Sequence, residues 1–88
     1  MLERRVRIVN HLGLHARAAA KLVRLANELT ATVKLRVGER EVDARSILDL
    51  LALAASCGTD LDIVVDGDDE LNAISEVEHL FANGFGEL

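Results

Sequence analysis

Residues 60–66 put Asp60, Asp62 and Asp66 on one side of an extended chain and Leu61, Ile63 and Val65 on the other. Side chains alternate across a β-strand, so this segment buries one face and wets the other. Thr32–Val37 has the same pattern, with Thr32, Lys34 and Arg36 against Val33, Leu35 and Val37. Leu2–Val9 sets Leu2, Val6 and Ile8 against Arg5 and Arg7. Gly38-Glu39 turns Thr32–Val37 into Arg40–Asp43, which predicts a hairpin. Strands with one polar face need cover on one side only. That excludes a sheet buried between two helical layers and predicts an antiparallel or mixed sheet in two layers.

The cover is supplied by helices. From about Ala16 to Leu29, Ala19, Leu22, Val23, Ala26 and Leu29 recur at helical spacing, while Arg17, Lys21, Arg24 and Glu28 share another face. Ser46 opens a second helix reaching about Ser56, with Asp49 in a capping-box position and Gly58 as its stop. A third, about Asp69–Ala82, carries Leu71, Ile74, Val77 and Phe81. The predicted order is β-α-β-β-α-β-α, an α/β (α+β) sandwich of one domain over residues 1–88.

Composition narrows the function. The chain has no Trp, Tyr or Pro and two Phe, so its core is aliphatic and stacking on single-stranded nucleic acid is disfavoured. Cys57 is the only cysteine and reads as a small core or helix-end residue, which excludes an internal disulfide and disfavours a zinc cluster. The N-terminus lacks the apolar segment of a signal peptide, and the longest apolar run, Leu50–Ala55, is too short to span a bilayer. A cytoplasmic, monomeric protein without cofactor, metal or membrane insertion is expected. Residues 1–45 hold all ten Lys and Arg beside five Asp and Glu, a net +5, while residues 46–88 hold ten Asp and Glu and no Lys or Arg, a net −10. This split predicts an electropositive working end in the first half, with the acidic last strand and helix away from it.

His15 stands just before a predicted helix start, after Gly13-Leu14. His79, near Glu76 and Glu78, reads as solvated, and His11 as a loop residue. The first N–H groups of the helix, at Ala16, Arg17 and Ala18, lack intrahelical acceptors and form an anion site. They disfavour a protonated imidazole and would stabilise a phosphoryl group attached to it. Arg17 can add a forked hydrogen bond to the same oxygens.

Asn10-His-Leu-Gly-Leu-His15-Ala-Arg17-Ala-Ala-Ala resembles the active-site signature of the histidine-containing phosphocarrier (HPr) family, and Val42-Asp-Ala-Arg45-Ser46-Ile-Leu48 resembles its second signature. Gly58, Gly67, Asp69, Glu70 and Ala73 fit the family's last strand and helix, so the resemblance spans the chain. It implies an open-faced sandwich with a four-stranded antiparallel sheet and three helices on one face. It also implies a non-enzymatic carrier of the phosphoenolpyruvate-dependent phosphotransferase system. There His15 accepts a phosphoryl group on Nδ1 from enzyme I and hands it to an enzyme IIA component of sugar uptake or of the nitrogen branch, assisted by Arg17. The family usually has proline where this chain has Ala18, which predicts a tuned anion site.

Ser46 reads as an N-cap; the resemblance adds phosphorylation by a serine kinase in some lineages. Ile47, Leu48 and Leu51 lie on a helix too apolar to be buried all round and are the predicted docking patch, with Lys21 and Arg24 as its charged rim. The tail Asn83-Gly-Phe-Gly-Glu-Leu resembles those of some nitrogen-branch members. Rival readings are a non-covalent anion-binding regulatory module at the same helix start, an all-helical acyl carrier and a nucleic-acid module. The alternating strands, and Arg45 in place of the acyl carriers' Asp before the serine, count against the second; net charge −5 counts against the third.

Overall fold

A computed structural model describes residues 1–88. Its elements are β1 (Leu2–Arg7), α1 (Ala16–Glu28), β2 (Thr32–Val37), β3 (Arg40–Asp43), α2 (Ile47–Ala52), β4 (Asp60–Asp66) and α3 (Glu70–Ala82), followed by a 3₁₀ turn at Gly84–Gly86. The acid–aliphatic segment at residues 60–66 lies inside the sheet. β4 pairs with both β1 and β2, giving the antiparallel order β1-β4-β2-β3. Leu61 faces Val6, and Ile63 faces Leu35, so the inward residues form one apolar strip. Leu35, Ile63 and Val65 are fully buried beneath the helices, with Leu22 and Ala26 of α1, Leu50 of α2 and Val77 and Phe81 of α3. This is the open-faced sandwich that the resemblance implied.

The outer face of the sheet carries charge. Arg5 donates to both carboxylate oxygens of Asp62, at 3.1 and 3.3 Å, and Arg7 does the same to Asp60, at 2.8 and 3.2 Å. Arg36 reaches Glu3 at 2.8 Å and Glu41 at 3.4 Å. The hydrogen bond from Arg7 holds the Asp60 carboxyl below its ordinary range. Exposed pairs of this kind contribute only about 0–1 kcal/mol each. Their larger effect is on register, because a one-residue slip would turn each acid towards the core. The basic and acidic halves therefore interleave across the sheet, and most of the expected charge separation cancels there.

Several boundaries differ from expectation. β1 ends at Arg7, although Ile8 continues the pairing irregularly, donating to Thr59 O and accepting from Gly58 N. Gly58 is thus a sheet contact and does not stop a helix. α2 ends at Ala52, short of Ser56. Ala54 has φ +51°, and the Arg40 guanidinium takes the Ala52 carbonyl at 3.0 Å, so the chain leaves the helix there. Cys57 is exposed in this connection, outside the core. α1 ends on a second arginine: Arg45 donates to Leu29 O and to Ala26 O, which also accepts from Leu29 N. Asp69 leaves α3 uncapped and accepts from Thr30 N and Ala31 N, tying the α1–β2 connection down.

α2 is two-sided in its energetics. Leu50 is fully buried, whereas Leu48 is 77% exposed. Leu50→Ala should destabilise the protein by about 2–5 kcal/mol in urea unfolding. Leu48→Ala should stay within about 0.5 kcal/mol of wild type, and a comparable loss there would mean that Leu48 belongs to the core.

Candidate functional site

The loop after β1 is built around Asn10, the one fully buried polar residue. Its amide nitrogen donates to Gly13 O at 2.8 Å, and Gly13 N donates back to Asn10 O at 3.1 Å, closing the loop on itself. Gly13 has φ +68°, and a Cβ there would lie 2.7 Å from Ala55 O. Only glycine fits that conformation and that approach. Leu14 N then donates to Ala55 O at 2.9 Å, so the loop is seated on the chain that follows α2.

His15 emerges from this seat at the N-cap of α1, with extended backbone. Its carbonyl accepts the first helical hydrogen bond, from Ala19 N. Its side chain caps nothing. The half-exposed ring turns instead to the C-terminal tail, where Nε2 lies 2.6 Å from Glu87 Oε2. The other oxygen of that carboxylate accepts from the Asn10 amide at 3.0 Å. Asn10 thus supports both the loop before His15 and the acid opposite it. Its hydrogen bond is the main reason the Glu87 carboxyl sits below its ordinary value, with His15 and Lys21 adding to the effect against desolvation.

The tail is fixed independently of that contact. Phe85 is buried and meets Phe81 edge-to-face, with ring centroids 4.9 Å apart. Its backbone is left-handed at φ +56°, between two glycines also at positive φ. Such a conformation costs about 1–2 kcal/mol. Burying a phenylalanine contributes about 1.5–3 kcal/mol, and the aromatic contact adds to it, so burial wins. Lys21 Nζ donates to the Phe85 carbonyl at 2.6 Å, and the Asn83 side chain accepts from Gly86 N.

Beside the ring, the N–H groups of Ala16, Arg17 and Ala18 make no hydrogen bond within the protein. Of the three residues expected to form an anion site, Ala18 is fully buried, whereas Ala16 and Arg17 are exposed. The Arg17 guanidinium has no partner and borders an open cleft of about 530 Å³, shared with His11, Leu12, Lys21, Gly86 and Glu87. No group of three or more His, Cys, Asp or Glu side chains converges as a metal site.

The predicted residues separate into two groups. Arg17 and Lys21 border the cleft, and His15, which does not line it, is joined to it through Glu87; Lys21 serves the tail and is not a free rim charge. Arg24 is exposed and unpaired further along α1. Ser46 Oγ accepts from Asp49 N at 3.4 Å, as an N-cap does, and Ile47, Leu48 and Leu51 are exposed on α2. None of these α2 residues borders the cleft. Asn10, Leu12 and Glu87 went unidentified in the sequence. Glu87 also corrects the expectation that the acidic half stays away from His15. The only advance signal was Phe85, an aromatic set between two glycines beyond the last apolar stripe.

Residues 2–83 match the family model described as the PTS HPr component phosphorylation site. The phosphocarrier protein HPr of Cupriavidus necator is 46% identical over 87 residues, covering 99% of this chain and 98% of that one. The phosphocarrier protein NPr of Proteus mirabilis is 45% identical over 85 residues, covering 96% and 94%. A crystal structure of HPr from Thermoanaerobacter tengcongensis superposes with TM-score 0.95 at 34% identity, covering 100% of this chain and 99% of that one.

The depressed Glu87 carboxyl gives a pH dependence of known sign. Above the ordinary value of 4.5 the acid is ionised whether the chain is folded or not, and its stabilising contribution is complete. That contribution is lost as pH falls through the lower folded value. Carbon-13 NMR of the Glu87 carboxyl should show a midpoint below 4.5 that rises in Asn10→Ala; a wild-type midpoint at or above 4.5 contradicts the assignment.

Proposed function

The chain belongs to the HPr family of phosphotransferase-system phosphocarriers, and from that premise we propose that it accepts a phosphoryl group from enzyme I on Nδ1 of His15 and passes it to an enzyme IIA component of the sugar or nitrogen branch. One observation carries the assignment of the atom. Nε2 is taken by Glu87 and the ring caps no helix, so Nδ1 is the nitrogen left for chemistry beside the unused donors of α1.

The chemistry asks little of the carrier beyond position and charge. The Nδ1 lone pair attacks phosphorus as the donor's bond to phosphorus breaks. The phosphoryl oxygens meet the N–H groups of Ala16 and Arg17 and the forked guanidinium of Arg17. Onward transfer reverses these events, with the acceptor's nucleophile replacing Nδ1 and its electron pair returning to the ring. The protein is transiently modified on its own residue and catalyses no turnover of a separate substrate.

Docking follows from the exposed residues. Leu48 at 77%, with Ile47 and Leu51 beside it, gives an apolar patch on α2, and Arg24 adds a cation for acidic partners. Phosphorylation of Ser46 by a serine kinase would place a dianion at the start of α2 beside that patch, changing docking without touching His15. The carrier works as a cytoplasmic monomer; no helix is long and apolar enough to cross a membrane.

Incubation with enzyme I and phosphoenolpyruvate, read by intact mass, tests the central assignment. One phosphoryl group should be gained, labile in acid, stable in alkali and absent in His15→Ala. Arg17→Ala should fold normally and accept phosphoryl about 10–100-fold more slowly. An unmodified wild type beside an active control would leave the non-covalent anion-binding module as the better reading.

A further inference from the structure

We infer that Glu87 is a positioning residue for His15: it fixes the imidazole tautomer with hydrogen on Nε2 and balances the positive charge the ring acquires when Nδ1 bonds phosphorus. The inference rests on the carrier reading above and adds a residue that lies beyond the stretch matched by the family model.

The geometry places a hydrogen on Nε2, and in the neutral ring this leaves Nδ1 without one. The carboxylate can only accept, so the nitrogen 2.6 Å from Glu87 Oε2 must donate. Nε2 then carries the hydrogen, and the neutral ring keeps its lone pair on Nδ1. When that pair bonds phosphorus, the Nε2 hydrogen stays in place and the ring becomes cationic. The carboxylate in contact with Nε2–H stabilises this charge as it develops. When phosphorus leaves, the pair returns to Nδ1 and a neutral imidazole departs, so no proton enters or leaves the site in either direction.

Three supports hold the acid in place. Asn10 binds its second oxygen, Lys21 holds the Phe85 carbonyl two residues away, and the Phe85 ring is buried. A carboxylate held on one oxygen by a buried amide cannot turn freely, so its other oxygen stays aimed at Nε2. The same geometry makes glutamine a sharper probe than alanine. In Glu87→Gln the Asn10 amide nitrogen demands the glutamine oxygen. The glutamine NH₂ then faces His15, Nε2 must accept, and the hydrogen moves to Nδ1, the nitrogen that needs to be free.

Nitrogen-15 NMR of the imidazole, with no phosphoryl donor present, reads the tautomer directly. Wild type should hold hydrogen on Nε2, Glu87→Ala should show a mixture, and Glu87→Gln should invert to Nδ1–H. In rapid-quench transfer from phosphorylated enzyme I, the rate at saturation should fall about tenfold in Glu87→Ala and about 100-fold or more in Glu87→Gln. Wild type with hydrogen on Nδ1, the same tautomer in all three proteins, or altered tautomers with unchanged rates would each overturn the inference. If wild-type protein takes no phosphoryl group at all, the carrier reading fails, while the spectra still judge the Glu87–His15 contact.

Discussion

The apolar strip on β4 is the constraint on which the rest of the structure depends. Leu61, Ile63 and Val65 each lie against β1 or β2 inside the sheet and under helices on one side. Because β4 is central, its ends locate both loops that matter. The chain entering it, at Gly58 and Thr59, pairs with Ile8 and so fixes the start of the loop that leads to His15. The chain leaving it runs into α3, whose far end delivers Phe85 and Glu87. Two segments 72 residues apart in sequence are brought within one hydrogen bond by a single sheet register.

A helix start is ordinarily satisfied by a side chain, and leaving it uncapped costs about 1 kcal/mol. α2 follows that rule through Ser46, and α1 does not. The difference is local and chemical. A serine at position 15 could cap α1, but it would occupy donors that an incoming anion needs. An imidazole drawn off to Glu87 leaves them unused. The two arginines that close helix ends, Arg45 at α1 and Arg40 at α2, are spent inside the fold, whereas Arg17 and Arg24 are not. Which bases remain for a partner is therefore decided by tertiary contacts and not by the count of bases in the first half.

The strands, their sidedness and the helix stripes were legible because they are periodic, and burial of apolar surface follows period. His15, Gly13 and Arg17 were legible because they form a short contiguous motif. The end of α2 was not, since the Arg40 contact that accompanies it comes from a different element. The burial of Ala18 was hidden for a similar reason: it depends on what packs over the residue. Glu87 carried no signal. Its position follows from Phe85 adopting a left-handed conformation for which its sequence gives no instruction beyond two flanking glycines. Contacts between distant segments, held by single side chains, are the part that local pattern cannot supply.

A carboxylate beside a phosphoryl site looks self-defeating, since both are anions. The two ring nitrogens keep them apart. Glu87 touches Nε2, whereas the proposed phosphoryl acceptor is Nδ1, with the ring between them. Once phosphorylated, that ring is itself cationic, so the nearest charge to Glu87 is attractive and the more distant one repulsive; Coulomb energy favours the nearer. The helix start and Arg17 oppose the remaining repulsion from the phosphoryl side. The imidazole thus separates two jobs that would conflict at a single atom. One nitrogen is kept protonated by an acid, and the other is kept open to an anion.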